Sequence, residues 1–417
     1  MYDVIVVGTR VAGAPLAMLL ARRGYRVLAV DRTTFPSDTI STHYIHQAGL
    51  SLLNSWGLLD KVVATGVPPI RQLNFTYTDI EIRGMADPSA DGIDAVYCPR
   101  RTVLDKILVE AAGDAGVEVI EGFAVSELIF DGDTVVGIRG KAGEGPDREF
   151  RAKLVVGADG ANSIVAKQVG AQEYDTSRAA GFVFYSYYTG VDWGMQHRTG
   201  FNEQQFAAWP TNDDQSLVAI IRPRDRFRDF RTDPDAGMQE IIDAIDPELG
   251  ARFRDTARRV EPFRPMLYPD NYRRRSFGPG WALVGDAGYH KDPFTGWGIT
   301  DAFKYGQLLA DLAHEGLSGN RPMAEALAEY ERERDAQSAS TYELTRSISE
   351  LTLTPYYDSV FRATSQSEHY IKKFFGLIAG LYPPDKFFGE QQLADLYEEV
   401  NFPVADRHVV NSEAVSA

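Results

Sequence analysis

Apolar positions open this chain almost without a break. Val4–Val7 is wholly apolar, and Ala12–Arg23 carries apolar residues on more than one face, with Gly24 where a helix C-terminal cap belongs. Tyr25–Val30 is a second apolar run. Strand, buried helix and strand predict a βαβ unit with parallel strands. Helical spacing is expected across Gly49–Leu59, and again over Thr102–Ala115, where Leu104, Ile107, Leu108 and Ala111 share a face. Gly116 then precedes an expected strand at Val117–Ile120. Leu128–Phe130 and Val135–Arg139 flank Asp131-Gly132-Asp133, a hairpin signal, and Leu154–Val156 is one more apolar strand.

The pattern changes after residue 175. Aromatic residues crowd Phe182, Phe184, Tyr185, Tyr187, Tyr188 and Trp193, and further apolar runs fall at Phe206–Trp209 and Leu217–Ile221. Short alternating runs also occupy residues 72–98. These predict an antiparallel sheet with a helix near 235–245. Trp281–Val284 returns to the character of the first strands, and Gly298 to about His314 is helical in pattern. A charged helix is expected over 322–350 and a mixed segment over 351–400, and the last dozen residues are expected to be loose.

Composition narrows the partners. The chain has 417 residues, 44% hydrophobic and 24% charged, with a formal net charge of −16. That charge opposes nucleic-acid binding and docking on anionic lipid. The single cysteine, Cys98, leaves no intramolecular disulfide or cysteine-rich metal site. The N-terminus enters a strand at once, and the longest apolar stretch, Val11–Ala21, is too short to span a bilayer. The expectation is a cytoplasmic protein with a small-molecule partner, no nucleic acid, no membrane span and no metal.

Three glycine-and-acid motifs carry the chemistry. Gly8-Thr9-Arg10-Val11-Ala12-Gly13 lies between the first strand and its helix, and Asp31 closes the second strand. In such turns the first glycine makes the bend, the second lets the backbone approach a pyrophosphate, and the third lets helix and strand pack. Gly8 and Gly13 keep the first and third roles. Arg10 removes the bare backbone at the second but brings a cation that could face a pyrophosphate. Asp31 suits the two ribose hydroxyls of an adenosine and would repel a 2′-phosphate. The second motif is Gly157-Ala158-Asp159-Gly160, and the third is Gly285-Asp286-Ala287 followed by Pro293, Gly296 and Gly298.

As an ordered set these motifs resemble the FAD-dependent monooxygenase superfamily, which includes aromatic hydroxylases, flavin halogenases and geranylgeranyl reductase-like enzymes. The resemblance spans roughly residues 1–350. It implies an α/β fold with an α+β second domain. A discontinuous Rossmann-like FAD-binding domain takes 1–71, 99–174 and 276–320. An inserted antiparallel-sheet substrate domain takes 72–98 and 175–275, and a helical C-terminal region 321–417. It further implies that Gly8, Arg10, Val11, Ala12, Gly13, Asp31 and Arg32 hold the ADP half of FAD. Arg101 would reach the phosphate or ribityl region, and Val125 would border the adenine. Asp159 and Gly160 would lie near the pyrophosphate, in a motif also linked to NAD(P)H use. Asp286 would accept from the ribityl chain. Pro293 would sit over the flavin ring, and Gly296, Gly298, Ile299 and Thr300 would open a helix beneath it, where free amides favour the negative charge of reduced flavin.

The leading expectation is hydroxylation of an electron-rich aromatic or polyketide-like molecule by NAD(P)H and O2 through a flavin C4a-hydroperoxide. Tyr185 and Trp209 are the residues expected to face that substrate. His43, His46 and His290, with Lys291 and Asp292 alongside, are candidates for a base that draws off a substrate proton. Halogenases of this superfamily carry Trp-x-Trp-x-Ile-Pro, and prenyl reductases Tyr-x-Trp-x-Phe-Pro. Here Gln205-Phe206-Ala207-Ala208-Trp209-Pro210 lacks both tryptophans of the first and keeps only the aromatic-Pro ending of the second. Reduction of a prenyl substrate therefore stays open, halogenation less so, and a non-catalytic flavin-binding protein is the alternative of another class.

Overall fold

The computed structural model describes residues 1–407, so the expectation of a loose final dozen falls almost wholly outside them. β1 (Tyr2–Val7), α1 (Gly13–Ala21) and β2 (Val27–Val30) form the expected βαβ unit, with Val4 paired to Val27 and Val7 to Val30 in parallel. Val4–Val7 of β1 is an unbroken apolar run because both faces of the strand are covered there. Val4 and Val6 pack into a core with Leu16 and Leu20, and Ile5 and Val7 pack into one with Val155 and Leu283. The chain then leaves this sheet through α2 (Gln47–Ser55), α3 (Leu59–Val63), β3 (Leu73–Tyr77) and β4 (Ile80–Gly84). It returns by α4 (Arg101–Asp114) to β5 (Glu118–Ile120). β6 (Phe123–Asp131) and β7 (Thr134–Ala142) make the predicted hairpin, with Gly132 at φ +58° in its turn, and β8 (Arg148–Gly157) lies beside β1.

After α5 (Ile164–Gln168) and β9 (Glu173–Ser177) come four long strands, β10 (Gly181–Thr189), β11 (Met195–Gly200), β12 (Gln204–Pro210) and β13 (Ser216–Pro223). The helix expected near 235–245 is α7 (Pro234–Ile245), preceded by the short α6 (Phe227–Phe230) and followed by α8 (Pro247–Thr256). Asp246 ends α7 and caps α8 through its bond from the Leu249 amide. Short strands β14 (Arg258–Arg259), β15 (Arg264–Leu267), β16 (Asn271–Arg274), β17 (Phe277–Gly278), β18 (Trp281–Leu283) and β19 (Tyr289–His290) follow. Then come α9 (Gly298–Leu317) and α10 (Met323–Ile348). The mixed segment is four helices, α11 (Pro355–Thr364), α12 (Glu368–Ile378), α13 (Asp385–Phe388) and α14 (Glu390–Glu399).

The first sheet runs β17-β18-β8-β1-β2-β5, parallel from β18 to β5, with β7 and β6 continuing from β8. The second runs β14-β10-β13-β12-β11-β3-β4, with β15 also on β10. It is not antiparallel throughout as expected. β3 pairs with β11 in parallel, because β3 and β4 arrive from a distant part of the chain over a long connection. Alternation sorts the residues of this sheet. Val183, Tyr185, Tyr187, Ala207, Trp209 and Ala219 face a core shared with Tyr44 and Phe294, whereas Phe182, Phe184, Phe206 and Ile220 face the helices α7 and α8. No helix among the described residues is long and apolar enough to cross a membrane.

Candidate functional site

The three motifs meet at one edge of the first sheet, and close backbone approach is what makes them meet. Gly8 has φ +97°, and a Cβ on it would stand 2.4 Å from the Ala158 carbonyl oxygen of the second motif. A Cβ on Gly13 would stand 1.8 Å from the Gly8 oxygen, so α1 begins against its own turn only because Gly13 is bare. Gly285, at φ +61°, would place a Cβ 2.7 Å from that of Ala12. Nothing lies within 4 Å of a Cβ built on Gly160 or Gly298, so open space adjoins both.

The acidic residues divide into engaged and free. Asp31 is buried, and both of its oxygens are taken. Oδ2 accepts from the Thr9 amide (2.8 Å) and hydroxyl (3.2 Å), and Oδ1 from the Thr33 amide (2.9 Å) and hydroxyl (2.8 Å). A ribose would have to replace the two hydroxyl donors, which can rotate away. Asp159 accepts from the Ser163 hydroxyl (2.5 Å) and the Ile164 amide (2.7 Å), so it braces the start of α5, and burial raises its pKa. Asp286 is exposed, and its carboxylate makes no hydrogen bond among the described residues. Arg32 is also exposed, and Val125 lies half-buried in β6 beside a bulge. Arg10 does not turn to solvent: its guanidinium bonds Asp105 Oδ2 at 2.5 Å. Arg101 bonds the same carboxylate through Nε (2.9 Å) and Nη2 (3.1 Å).

The third motif ends in a short turn, Pro293–Thr295, closed by Gly296 in the left-handed region (φ +68°) before α9 begins at Gly298. The Asp301 amide is the first to bond back, to Trp297 O at 2.8 Å, so the amides of Gly298, Ile299 and Thr300 open the helix without intrahelical partners. Buried side chains hold this turn. His46 Nε2 bonds Thr295 O (3.0 Å), and the Thr300 hydroxyl accepts from the His46 amide (3.2 Å). The His46 ring lies against Tyr44 and Trp297. Asp292 Oδ1 accepts from the Phe294 amide at 3.0 Å. On β11, His197 packs edge-on to Phe294 with centroids 4.9 Å apart. Burial is the main cause of three shifts, lowering His46 to about 3 and His197 to about 4 and raising Asp292 to about 7.

A second cluster stands on the inner face of the second sheet. His43, fully buried and at φ +60°, sets Nε2 2.5 Å from the Tyr187 hydroxyl. Tyr185 lies edge-on to Tyr187, and its hydroxyl accepts from the Ser41 amide. The Arg100 guanidinium covers the Tyr187 ring at 3.6 Å. Burial, and then Arg101, Arg100 and Arg264, hold the His43 pKa well below its ordinary value. Trp209 is on the same face, buried, with its indole Nε1 unpartnered among the described residues. His290 is elsewhere: on β19 its ring stacks on Tyr272 and its Nδ1 faces Asp270 O at 3.2 Å, which makes it part of a small sheet with β16 and β9.

The family model described as "FAD binding domain" matches residues 1–345. The chain belongs to this FAD-binding family. Among curated proteins, a 1H-pyrrole-2-carbonyl-[peptidyl-carrier protein] brominase of Pseudoalteromonas luteoviolacea is 26% identical over 334 residues, 76% of this chain and 79% of the brominase. Digeranylgeranylglycerophospholipid reductase 1 of Methanococcoides burtonii is 26% identical and covers 79% of each chain. Among solved structures, the flavin-dependent brominase Bmp2 superposes with a TM-score of 0.81 at 22% identity, covering 96% of this chain and 98% of that one. PqsL of Pseudomonas aeruginosa, in complex with 2-aminobenzoylacetate, superposes with a TM-score of 0.70 at 20% identity, covering 91% and 99%.

The site fits FAD on its own geometry. Two bare glycines leave open space at Gly160 and Gly298, a free carboxylate stands at Asp286, and unpaired amides open α9. The chain is thus a flavoenzyme whose curated relatives include halogenases and reductases. Sequence reasoning missed Tyr187, His197, Arg100 and Asp105. Period-two alternation across 181–189 already placed Tyr187 on the face of Tyr185. Nothing local marked His197 or Asp105, because their roles depend on partners far away in the chain.

Proposed function

We propose that this flavoenzyme is a monooxygenase that hydroxylates a small aromatic or polyketide-like molecule bearing an ionisable hydroxyl or amine, with NAD(P)H as donor. The observation that carries this reading is the buried chain of His43, Tyr187 and Tyr185, centred on the 2.5 Å contact between imidazole and phenol. Bound FAD would supply oxygen activation. The chain's own residues would do the rest. Gly8, Gly13, Asp31 and Asp286 would hold the cofactor, and the amides of Gly298–Thr300 would favour negative charge beside them. The His43 imidazole is neutral at ordinary pH, because burial among arginines opposes its cation. Neutral, it can accept the hydrogen bond of the Tyr187 hydroxyl and so turn that oxygen's free lone pair toward the proton of a substrate hydroxyl or amine. Trp209 and Tyr185 would bound a flat apolar molecule. The missing tryptophans at Gln205–Pro210 argue against halogenation, and the PqsL complex shows that a fold of this kind holds a small aromatic.

The test is product analysis. Purified protein with FAD, O2, and NADPH or NADH is given a panel of phenols and anilines, and the products are weighed. A product one oxygen heavier, with donor oxidation accelerated by that substrate, is the expected result. Halogen incorporation in the presence of bromide, loss of a double bond from a prenyl substrate, or hydrogen peroxide alone would each overturn the proposal. Reduced flavin supplied by a separate reductase, active where NAD(P)H is not, would overturn the donor only. Tyr187→Phe is expected to keep FAD and to lower kcat by about 10²-fold, the usual scale for lost acid–base assistance.

A further inference from the structure

Arg10 stands where nucleotide-binding turns ordinarily carry a second bare glycine. Its side chain is committed in several directions at once. Nη1 donates to Asp105 Oδ2 (2.5 Å) and Ser37 O (3.3 Å), and Nη2 donates to Ser37 Oγ (2.9 Å) and Asp38 O (3.5 Å). The guanidinium also lies 5.3 Å from the centre of the Phe35 ring. Asp105 is fully buried on α4 and already holds Arg101 bidentately, so one carboxylate gathers two arginines.

The segment that Arg10 grips has a telling position. It follows Asp31 at the end of β2. The Gly122 amide donates to Thr33 O, and the Phe35 amide to Glu121 Oε2. Residues 33–38 therefore cross the carboxyl ends of β2 and β5, the edge at which parallel sheets bind their ligands. Beyond it, Asp38 pairs with Arg100 (3.3 Å) and with Arg264 of β15 (3.0 Å). The strap is thus anchored at both ends, to the nucleotide turn and to the second sheet.

We propose that Arg10 is a positioning residue that retains FAD: with Asp105 it pins Ser37 and Asp38 across the nucleotide edge, and its effect falls on cofactor release. The inference rests on FAD binding and goes beyond it. A direct contact between Arg10 and the pyrophosphate would work differently. Removing Asp105 would then free a cation and tighten FAD, whereas a strap loses its anchor and loosens.

The experiment follows FAD itself by the recovery of flavin fluorescence on dilution of the holoprotein, and by its uptake into apoprotein. Arg10→Ala is expected to raise the dissociation rate about tenfold, the scale of a lost charge-assisted hydrogen bond, with association within about twofold of wild type. Asp105→Asn is expected to do the same, and the double variant no more than either single one. Release at the wild-type rate from Arg10→Ala, or slower release from Asp105→Asn, would overturn the strap. Equal losses of unfolding temperature in apo- and holoprotein would mark a merely structural role and also overturn it. Should Asp105→Asn fail to fold, Ser37→Ala in the wild-type and Arg10→Ala backgrounds gives the same non-additivity test. A wild-type protein that takes up no FAD would instead defeat the cofactor assignment on which the strap rests.

Discussion

His46 is buried and His197 half-buried against Phe294, and desolvation holds their pKa values near 3 and 4, far below the ordinary 6.5. Each must be neutral in the fold but charges freely once unfolded. The stability this gives is fully present above about pH 6.5 and is lost as pH falls toward those values. Asp292 responds the other way. Its pKa is raised from 3.8 to about 7 by burial, so the folded state binds the proton more tightly. That stability is fully present below about pH 4 and is lost as pH rises through about 7. Each shift corresponds to an effect on the order of a few kcal/mol. His197→Gln should therefore gain in unfolding temperature relative to wild type as pH is lowered from 7 to 4.5, and Asp292→Asn as pH is raised across the same range. Thermal scans of the three proteins at matched pH decide it: two difference curves of the same sign would mean that one assignment of protonation state is wrong. None of this was legible in the sequence. A histidine in a polar stretch such as Met195–Gly200 looks exposed, until β11 is found between β12 and β3 with Phe294 over its face.

At the scale of the element, the turn from β1 to α1 was readable because its glycines obey local rules, and the structure gives the reason in distances. Gly13 and Gly298 make the contrast testable. A Cβ on Gly13 collides with backbone that cannot move, the Gly8 carbonyl, whereas one on Gly298 meets nothing. Gly13→Ala should cost about 3 kcal/mol or more of stability, at the upper end for single substitutions, and lose FAD with the fold. Gly298→Ala should leave the apoprotein's unfolding temperature near wild type and still weaken FAD, because the methyl enters space beside the α9 amides. Calorimetry of the two apoproteins with flavin titrations separates these outcomes, and an apoprotein equally destabilised by both would refute the reading of α9 as a cofactor wall. The hairpin at Asp131–Asp133 was legible for the same local reason. The parallel pairing of β3 with β11 was not, since pairing across more than a hundred residues leaves no mark on either strand.

In the whole molecule, the helices that follow α9 divide between two partners. α10 runs along α9, whereas α11, α12 and α14 join the core of the second sheet through Phe361, Phe374 and Tyr397. Contacts bind this layer to the site itself. The Ala48 amide of α2 donates to Ala379 O (3.1 Å), and a Cβ on Gly380 would touch Trp297 at 3.0 Å, beside the turn held by His46. The Tyr77 hydroxyl bonds Ile348 O at 2.6 Å, and Gly84 of β4 is bare where the Ile371 side chain presses on it. Cutting the chain after Ile348 would uncover Phe75, Tyr77 and Ile82 together, an apolar face too large to leave in water, and would strip Gly380 from Trp297. Fragment 1–348 is therefore expected to lose cooperative unfolding, to bind hydrophobic dye and to fail to retain FAD, although it contains all three glycine motifs. The full chain, in contrast, is expected to unfold in a single calorimetric transition. A fragment that unfolds cooperatively and binds FAD as the full chain does would show that the C-terminal layer is an appendage, and that the turn from Pro293 to Thr295 is held without it.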